Sequence, residues 1–405
     1  MEAKKPVKLP LWKRNLYILW FGVFMTGVGM SEIMPFLSLF INELGNFTKD
    51  QLSFYSGIVY SGSFLFMAIV SPLWGKLADQ KGRKLMLLRS SIGMGIVFFL
   101  MGFVHNVWEL LFLRCLQGAF GGYVSNSNAL IAAQTPREHA GHSLSILVTG
   151  ITAGNLLGPL LGGFLADAFS YRISFHITGV IMLVVCLLTY LFVNEKPVKR
   201  PKKTETPKKS LTFKDIRSDR VIFLLITTTM LIQVVTMSIN PILSLFVKEL
   251  TDPGQSVTLL AGFVAAMPGI STVLAAPAFG RLGDRIGTHK LLIFGFVFAM
   301  LTFAATSFVQ NVYVLMLLRL LTGISDAAIL PSVQTLLTKN TSTENTSIVF
   351  SYNQSFQSLG NMFGPLLGSA IAALFDYREI FLFSSFIMVI NFISFTRSKM
   401  FGENN

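Results

Sequence analysis

Twelve apolar segments, each about twenty residues or longer, are the feature that most constrains this chain. A helix needs about 20 apolar residues to cross a hydrocarbon layer about 30 Å thick, and each segment meets that length. The composition agrees, because 52% of the 405 residues are hydrophobic and only 13% are charged, which is unlike a soluble protein. We therefore predict an all-α integral membrane protein with twelve spans. The predicted spans are residues 15–41, 53–75, 85–104, 107–128, 143–167, 171–193, 221–247, 257–280, 290–309, 312–334, 349–373 and 378–396.

One long polar segment divides the spans into two groups of six. Residues 194–220 are rich in lysine and proline and lack any apolar periodicity, which predicts a mostly flexible linker. We expect an N-terminal six-helix bundle over residues 1–193 and a C-terminal six-helix bundle over residues 221–405.

The positive charge of the chain indicates its orientation in the membrane. There are 33 lysines and arginines against 20 acidic residues, a net charge of +13, which on a soluble protein would favour a nucleic-acid partner. When the basic residues are assigned to the segments between spans, 27 fall on one side and four on the other. Because basic residues accumulate in cytoplasmic loops, both termini and the linker are predicted to be cytoplasmic. Contact with anionic membrane lipid accounts for the charge, and no nucleic-acid partner is expected.

The two halves are related by an internal repeat with an offset of about 205 residues. MPFLSLFINEL from Met34 matches NPILSLFVKEL from Asn240, and GNLLGPLLGG from Gly154 matches GNMFGPLLGS from Gly360. Two parallel repeats of this kind are the plan of a two-bundle transporter whose site lies between the bundles, near the middle of the membrane.

Two acidic residues within the spans have no acidic counterpart in the other repeat. Glu32 in the first span aligns with Ser238, and Asp326 in the tenth aligns with Gly121. An intramembrane carboxylate is costly unless it is paired, protonated or facing a cavity, so it marks a functional site by default. We predict that at least one of them binds a proton or a cationic substrate; the alternative is a solvated residue of a vestibule.

Arg114 in the fourth span is the predicted partner of Glu32. Both lie about 10–13 Å from the outer ends of their spans, counted at about 1.5 Å per residue. We expect an interaction between them that changes with conformation. Arg319 and Asp326 are about 10 Å apart along one helix, too far for a direct pair, so the partner of Asp326 stays open.

Several amides within the spans are candidates for the lining of a substrate cavity. Asn155 recurs as Asn361 beside the glycine motif, which favours a packing role for that pair. The candidate cavity residues are Asn126, Asn128, Gln233, Asn240, Asn353 and Gln357.

Motifs of common enzyme chemistry are absent from the sequence. The five histidines have no metal-ligand spacing, and there is no phosphate-binding Walker loop or nucleophile elbow. We expect no metal, no cofactor and no enzymatic activity.

The segment GKLADQKGRK, residues 75–84, resembles the signature between the second and third helices of the major facilitator superfamily. The resemblance extends over essentially the whole chain and implies that the segment is a cytoplasmic latch. Thr288 replaces the arginine in the second copy, which leaves the role of that copy open. The latch residues are Gly75, Asp79, Gly82 and Arg83, with Asp284 in the second copy.

The glycine motif of the fifth span resembles the antiporter signature of the same superfamily. Its glycines at four-residue intervals form a groove for close helix packing, and its proline permits a bend. The resemblance implies export, and Arg114 similarly resembles an arginine implicated in proton transfer. The motif residues are Gly154, Gly158, Pro159, Gly162 and Gly163.

Together these motifs resemble the drug:proton antiporter branch, in particular multidrug efflux transporters of the streptococcal and lactococcal type. The resemblance implies a monomer in the bacterial cell membrane that uses the proton motive force to export amphipathic, often cationic, compounds and so confers antibiotic resistance. The substrate is not fixed. A lipid or glycolipid flippase, another small-solute exporter on the same fold, an uptake symporter and a membrane sensor or scaffold without transport are the alternatives.

Overall fold

A computed structural model describes residues 10–195, 213–342 and 345–397, without the side chains at positions 79, 137, 346 and 347. All regular structure in these ranges is helical, as predicted. The helices are α1 (Leu11–Ser31), α2 (Leu37–Glu43), α3 (Lys49–Lys81), α4 (Arg83–Met101), α5 (Val107–Phe120), α6 (Tyr123–Gln134), α7 (Arg137–Ala168), α8 (Tyr171–Phe192), α9 (Phe213–Ser218), α10 (Arg220–Leu250), α11 (Val257–Ile286), α12 (Thr288–Ser307), α13 (Val312–Lys339), α14 (Thr346–Leu374) and α15 (Tyr377–Thr396).

Nine of the described helices are long and apolar enough to cross a membrane by length and composition: α3, α4, α7, α8, α10, α11, α12, α13 and α15. Each matches one predicted span. The other three predicted spans correspond to α1 with α2, to α5 with α6, and to α14.

The first and fourth spans, predicted as continuous, are each interrupted. α1 ends at Ser31 and α2 begins at Leu37; between them lies Pro35, which lacks an amide proton and disfavours a helical conformation at the preceding residue. α5 ends at Phe120 and α6 begins at Tyr123. At this second break Gly122 has φ +113°, a conformation that side chains with a Cβ rarely adopt.

The corresponding helices of the second repeat are continuous. α10 contains Pro241 within a single 31-residue helix, and α13 runs over 28 residues through the position that matches the break in the fourth span. The repeat in sequence therefore does not extend to these two interruptions.

Part of the predicted flexible linker is helical. α9 lies within residues 194–220, and Ile216 on it is buried. This apolar contact accounts for a short helix within the predicted linker, whereas residues 196–212 lie outside the described residues.

The chain forms two compact units. Unit 1 comprises Met1–Ile33, Leu65–His105 and Phe112–Lys202, and unit 2 comprises Met34–Phe64, Asn106–Leu111 and Lys203–Asn405. The six-helix bundles predicted over residues 1–193 and 221–405 divide the chain in a different way from these units. The two bundles remain a prediction.

A buried cluster holds the helices of unit 1 together along the first half and the middle of α1. Leu19 and Val23 of α1 pack with Leu87 of α4 and Tyr123 of α6. The Tyr123 hydroxyl is hydrogen-bonded to that of Thr189, at 2.8 Å. This cluster positions α1, which carries the candidate site at its other end.

Candidate functional site

Glu32 follows the last residue of α1 at the break in the first span. Its side chain is 1% exposed, and one carboxylate oxygen accepts a hydrogen bond from the Thr178 hydroxyl on α8. Removing a carboxylate from water is costly unless it is hydrogen-bonded, paired or protonated. The break therefore holds an ionisable group whose protonation state has a large energetic consequence.

The Thr178 hydroxyl can serve either protonation state of that carboxylate. Its oxygen lies 2.9 Å from the carbonyl oxygen of Ser174, one turn earlier on α8, as well as next to Glu32. A hydroxyl donates one hydrogen bond and can accept two. Thr178 can donate to an ionised Glu32, or accept from a protonated Glu32 while it donates to Ser174. Glu32 thus keeps a hydrogen bond whether it gains or loses a proton.

The glycine motif of α7 packs directly against the backbone of α1. A Cβ added at Gly154 would collide with the carbonyl oxygen of Phe24. One added at Gly162 would collide with the carbonyl oxygen of Glu32, and Gly158 lies between these two contacts. Since only glycine permits this approach, the predicted antiporter motif forms one wall of the site that holds Glu32.

The other two residues of the motif complete this wall. Pro159 lies inside α7 without ending it, and Gly163 is buried beside Gly162. A proline within a helix removes one backbone hydrogen bond.

The second repeat has the same glycine packing but no carboxylate. Cβ atoms added at Gly360, Gly364 and Gly368 would meet α10, and the one at Gly368 would collide with the Ser238 carbonyl oxygen. Ser238 thus occupies the place of Glu32, as the sequence alignment predicts. Its hydroxyl donates to the carbonyl oxygen of Val235 on its own helix, at 2.9 Å.

Arg114 is also buried in unit 1. Its side chain is 1% exposed, and Nη1 donates to Oε1 of Gln117 at 2.6 Å, one turn along α5. This amide oxygen satisfies part of a guanidinium that is costly to remove from water. The interaction between Arg114 and Glu32 stays a prediction.

Asp326 and Arg319 lie on α13 in unit 2. Arg319 is buried, and its Nε has no hydrogen-bond partner among the described residues. Asp326 is partly buried and attracts Arg319 electrostatically. The seven-residue spacing thus allows an interaction between the two charges.

The predicted latch turns sharply at Gly82, the single residue between α3 and α4. Gly82 has φ +96°, and the side chain of Glu195, three residues after the end of α8, lies against it. The Glu195 carboxylate accepts hydrogen bonds from the backbone amides of Arg83 and Lys84, at 2.9 and 2.8 Å. A carboxylate in this position satisfies first-turn amides and complements the helix dipole. The side chain of Asp79 lies outside the described part of the chain.

The second copy of the latch has the same turn, but no described side chain lies against its glycine. Gly287 has φ +96°, and a Cβ added there would meet no described atom within 4 Å. Asp284 is exposed on α11 and borders a cavity of about 40 Å³.

The candidate cavity amides have different surroundings. Asn126 is buried, donates to the Gly122 carbonyl oxygen at 2.8 Å and lines a cavity of about 280 Å³ within unit 1. Gln233 donates to Oδ1 of Asn361 at 3.1 Å, which joins it to an asparagine assigned to packing.

The remaining amides are not joined by hydrogen bonds between their side chains in the described structure. Asn240 contacts Met237 on its own helix, at 3.4 Å. Asn353 is buried, and its Oδ1 has no partner among the described residues. Asn128 and Gln357 are partly buried.

A group of charges that the sequence did not reveal lies at the end of unit 2 predicted to face outward. Lys49 at the start of α3 forms ion pairs with Glu249, at 2.8 Å, and with Asp376, at 2.6 Å. Burial alone would raise the pKa of Asp376, but hydrogen bonds from Lys49 and the Tyr377 amide outweigh it and hold that pKa below its usual value. These residues are far apart in the chain, so no motif signals their proximity.

Helices arranged as two sequence-related repeats, with a buried carboxylate beside a glycine motif, define a transporter of the two-bundle type. The model of the Major Facilitator Superfamily matches residues 19–257 and 225–400. The chain belongs to the Major Facilitator Superfamily, which confirms the resemblance found in the motifs.

Relatives that match over most of both chains agree with this assignment. The chain is 46% identical over 382 residues to a protein of Escherichia fergusonii named multidrug resistance protein MdtG, covering 94% of this chain and 93% of the relative. It is 44% identical over 389 residues to the protein of that name from Salmonella typhimurium, covering 96% of each.

Solved structures share the fold at low identity. One is a bacterial homologue of the human lysosomal transporter Spinster in an inward-facing, unoccupied conformation, with a TM-score of 0.78, 17% identity and coverage of 96% and 97% of the two chains. Another is the nucleoside transporter NupG, with a TM-score of 0.75, 15% identity and coverage of 96% and 98%.

Proposed function

We propose that this protein is a proton-coupled multidrug exporter, and that Glu32 is its principal proton-binding residue. The observation that carries the proposal is the buried Glu32 carboxylate, set in a helix break against the antiporter motif and hydrogen-bonded to a hydroxyl that serves both protonation states. Relatives named multidrug resistance proteins support the export of several amphipathic compounds.

Proton binding at Glu32 changes the charge buried in unit 1. An ionised Glu32 needs a donor or a cation, and a cationic substrate can supply that charge from the transport pathway. A protonated Glu32 needs neither and is retained by Thr178 as an acceptor. Proton and cationic substrate therefore compete for the same negative charge, which is the requirement for antiport.

Asp326 and Arg319 form a second charged group in this proposal. The repeat offers no architectural reason for a carboxylate at position 326, since the matching residue is Gly121. Asp326 exchanges protons while Arg319 remains positively charged, and Arg114 has the corresponding positive charge in unit 1.

Alternating access requires the outer ends of the helices to separate. Within unit 2, Lys49 joins the start of α3 to the last turn of α10 and to the residue that caps the start of α15. The Ser61 hydroxyl also donates to the Met362 carbonyl oxygen, at 2.9 Å. These contacts break when the site opens outward, with both termini and the linker in the cytoplasm.

The proton motive force is sufficient to drive export without a cofactor. Moving one charge inward across 100 mV yields about 2.3 kcal/mol, and one pH unit adds about 1.4 kcal/mol per proton. One proton can therefore sustain a gradient of several hundred-fold for a neutral substrate. The protein acts as a monomer in the bacterial cell membrane, in contact with lipids.

The test is dye transport in inverted membrane vesicles with an imposed pH gradient. We expect Glu32→Gln to reduce proton-driven uptake of a cationic dye to background, because an amide cannot bind the proton. Asp326→Asn should reduce it in part, whereas Ser238→Ala, the matched change in the second repeat, should leave it near wild type.

Two results would contradict the proposal. Unaltered proton-driven uptake in both acidic-residue variants would remove the site assignment. Failure of the wild type to transport any cationic dye would remove the assignment as an exporter of such compounds.

A further inference from the structure

The break in the fourth span frees carbonyl groups that a continuous helix would use. In a continuous helix the carbonyl groups of residues 118–121 accept hydrogen bonds from the amides of residues 122–125. Here α5 and α6 are separate helices. The Gly118 carbonyl oxygen accepts from the Gly121 amide instead, at 3.1 Å. The next three carbonyl groups need other donors, because a free backbone group is costly inside a membrane.

Two side chains from neighbouring helices of unit 1 donate to these three carbonyl groups. Nε1 of Trp74 on α3 donates to the carbonyl oxygen of Ala119, at 2.8 Å. Nη2 of Arg89 on α4 donates to the carbonyl oxygens of Gly121, at 2.7 Å, and Phe120, at 3.3 Å. Each carbonyl group that the break frees is therefore hydrogen-bonded.

Trp74 and Arg89 also contact each other. The guanidinium carbon of Arg89 lies 3.9 Å from the centre of the Trp74 ring, which is a favourable cation–π distance. A cation at the end of a helix also complements the negative end of the helix dipole. These two residues, the Trp74/Arg89 pair, thus act together on the end of α5.

The amides at the start of α6 are the donors that these carbonyl groups would otherwise bind. In a continuous span the amides of residues 123–125 would donate to the carbonyl groups of residues 119–121. The first amides of a separate helix have no partner within it, and no side chain accepts from them at the cap of α6. The Trp74/Arg89 pair and the α6 amides therefore compete for the same three acceptors.

The second repeat has neither the donors nor the break. Phe279 aligns with Trp74 and Phe294 with Arg89, and the two phenylalanine rings lie in contact, with centroids 6.0 Å apart. A phenylalanine side chain has no hydrogen-bond donor, and α13 continues through the matching position. The span is broken in the repeat whose side chains supply donors and continuous in the repeat whose side chains lack them.

We propose that the Trp74/Arg89 pair holds the fourth span broken, and that without the pair α5 and α6 join into one helix. Joining would give the three carbonyl groups their helical donors and the α6 amides their acceptors. The joined span would then leave no backbone group unsatisfied. The broken and joined forms differ in which donors bind the same acceptors.

The pair thereby positions two candidate residues of the transport pathway, a step that rests on the proposed function. Arg114 lies on α5 and donates to Gln117, just before the carbonyl groups that the pair holds. Asn126 lies on α6. Joining the two helices would change the position of Asn126 relative to Arg114. Trp74 and Arg89 are therefore positioning residues for export.

The test is hydrogen exchange of the purified protein in nanodiscs, measured at the amides of residues 123–125. The variant combines Trp74→Phe with Arg89→Phe, which gives the first repeat the side chains of the second. We expect these amides to exchange about tenfold more slowly, because joining the helices gives them acceptors. A change that only destabilised the helices would speed their exchange. Unchanged or faster exchange would therefore overturn the proposal.

Arg172→Gln is the matched control. Arg172 also donates to carbonyl oxygens at the end of a helix, those of Gly102 and Val104 beyond α4, at 3.0 and 2.8 Å. Its loss removes donors of the same kind without altering the fourth span. Exchange at residues 123–125 should stay at the wild-type rate. The same slowing in Arg172→Gln as in the phenylalanine variant would show that the effect does not arise from the Trp74/Arg89 pair.

A second variant acts on the backbone of the break. Gly122 has φ +113°, whereas the matching Ala327 lies within the continuous α13. Gly122→Ala penalises the broken form only. It should also slow exchange, but less than the phenylalanine variant does, since Trp74 and Arg89 still compete for the acceptors. This variant decides the question if the phenylalanine variant fails to fold, and exchange at the wild-type rate or faster would contradict the proposal.

Dye uptake in inverted vesicles tests the positioning role. We expect the phenylalanine variant to take up a cationic dye about tenfold more slowly at saturating dye, and Arg172→Gln to match the wild type. Wild-type uptake by a protein with slowed exchange would contradict the positioning role. If the wild type transported no dye, that role would be lost together with the export proposal. The exchange measurement would still decide whether Trp74 and Arg89 hold the span broken.

Discussion

The two repeats share their helix packing but differ in the continuity of their helices. The glycines of α7 contact α1 in the same way as the glycines of α14 contact α10. The first and fourth spans are interrupted, whereas the seventh and tenth are continuous. One interruption coincides with Glu32, and the other with Gly121, the position that aligns with Asp326. Asymmetry therefore occurs where the repeats differ in charged residues, and symmetry occurs where the helices pack.

The prediction with the largest expected effect on stability tests the glycine packing that the two repeats share. Gly162→Ala and Gly368→Ala each place a methyl group against a carbonyl oxygen of the facing helix, that of Glu32 or of Ser238. Both should lower the free energy of unfolding by about 3 kcal/mol, measured as the loss of thermal stability of the purified protein.

Only Gly162→Ala should also alter the pH dependence of transport, because only that glycine contacts the backbone of a carboxylate. An equal change in pH dependence for Gly368→Ala would show that the repeats are functionally alike, contrary to the difference described above.

The next prediction compares the loss of stability caused by alanine at the glycine of each latch turn. Gly82→Ala and Gly287→Ala both force a Cβ into a backbone conformation with φ +96°, at a cost of about 2 kcal/mol. Gly82→Ala should cost more, because its Cβ would lie 2.7 Å from a carboxylate oxygen of Glu195 and would displace that carboxylate from the two backbone amides that donate to it.

Chemical denaturation of both variants in nanodiscs measures this difference. If Gly287→Ala were the more destabilising change, the contact with Glu195 would not be the feature that distinguishes the turns.

A smaller effect concerns the hydroxyl that faces Glu32. Thr178→Val keeps the shape but removes the hydrogen bond, which contributes about 1 kcal/mol. Because a hydrogen bond to the ionised carboxylate is stronger than one with the protonated carboxyl group, losing the hydroxyl destabilises the ionised form more, and the pH of half-maximal transport should move upward by about one unit. Thr178→Ser should restore the wild-type profile.

Ser384 supplies the control, since it aligns with Thr178 on α15 and donates to the Ile380 carbonyl oxygen, at 2.8 Å. Ser384→Ala should leave the pH profile of dye transport unchanged. A similar shift in Ser384→Ala and Thr178→Val would mean that the Thr178 hydroxyl does not act through Glu32.

The smallest effect concerns the ion pairs of Lys49. Asp376 caps α15 by accepting a hydrogen bond from the Tyr377 amide, as the aligned Ser170 caps α8. Asp376→Ser should keep the cap and lose only the ion pair, which contributes under about 1 kcal/mol because the side chains are about 40% exposed.

The pH dependence of stability gives the sign of this contribution. Since the pKa of Asp376 is lowered in the folded protein, its contribution is present above the usual aspartate value and is lost as the pH falls through the folded value. The difference in thermal midpoint between wild type and Asp376→Ser should therefore shrink below about pH 4. A difference that grows in acid would exclude the ion pair as its cause.

Much of the fold could be predicted because length and apolar composition determine which helices cross a membrane. The interruptions were harder to predict, although Pro35 and the pair Gly121–Gly122 are signals for them. Pro241 shows why such signals are ambiguous, because α10 continues through it. Packing against neighbouring helices decides whether a proline or glycine ends a helix.

The candidate site was only partly predictable for a related reason. Glu32 is recognisable as an unmatched acid, and the glycine motif by its spacing. Thr178 is an ordinary residue of an apolar helix, and only the rotation of α8 brings its hydroxyl to Glu32.

The contact between Glu195 and the first turn of α4 has a consequence for dividing the protein into two separately produced fragments. Glu195 is the second residue of the predicted linker, and it supplies the acceptor for two amides at the latch. A first fragment that ended at residue 193 would expose those amides, although it would contain all six predicted spans. Fragments divided beyond Glu195 should reassemble better than fragments divided at the end of α8.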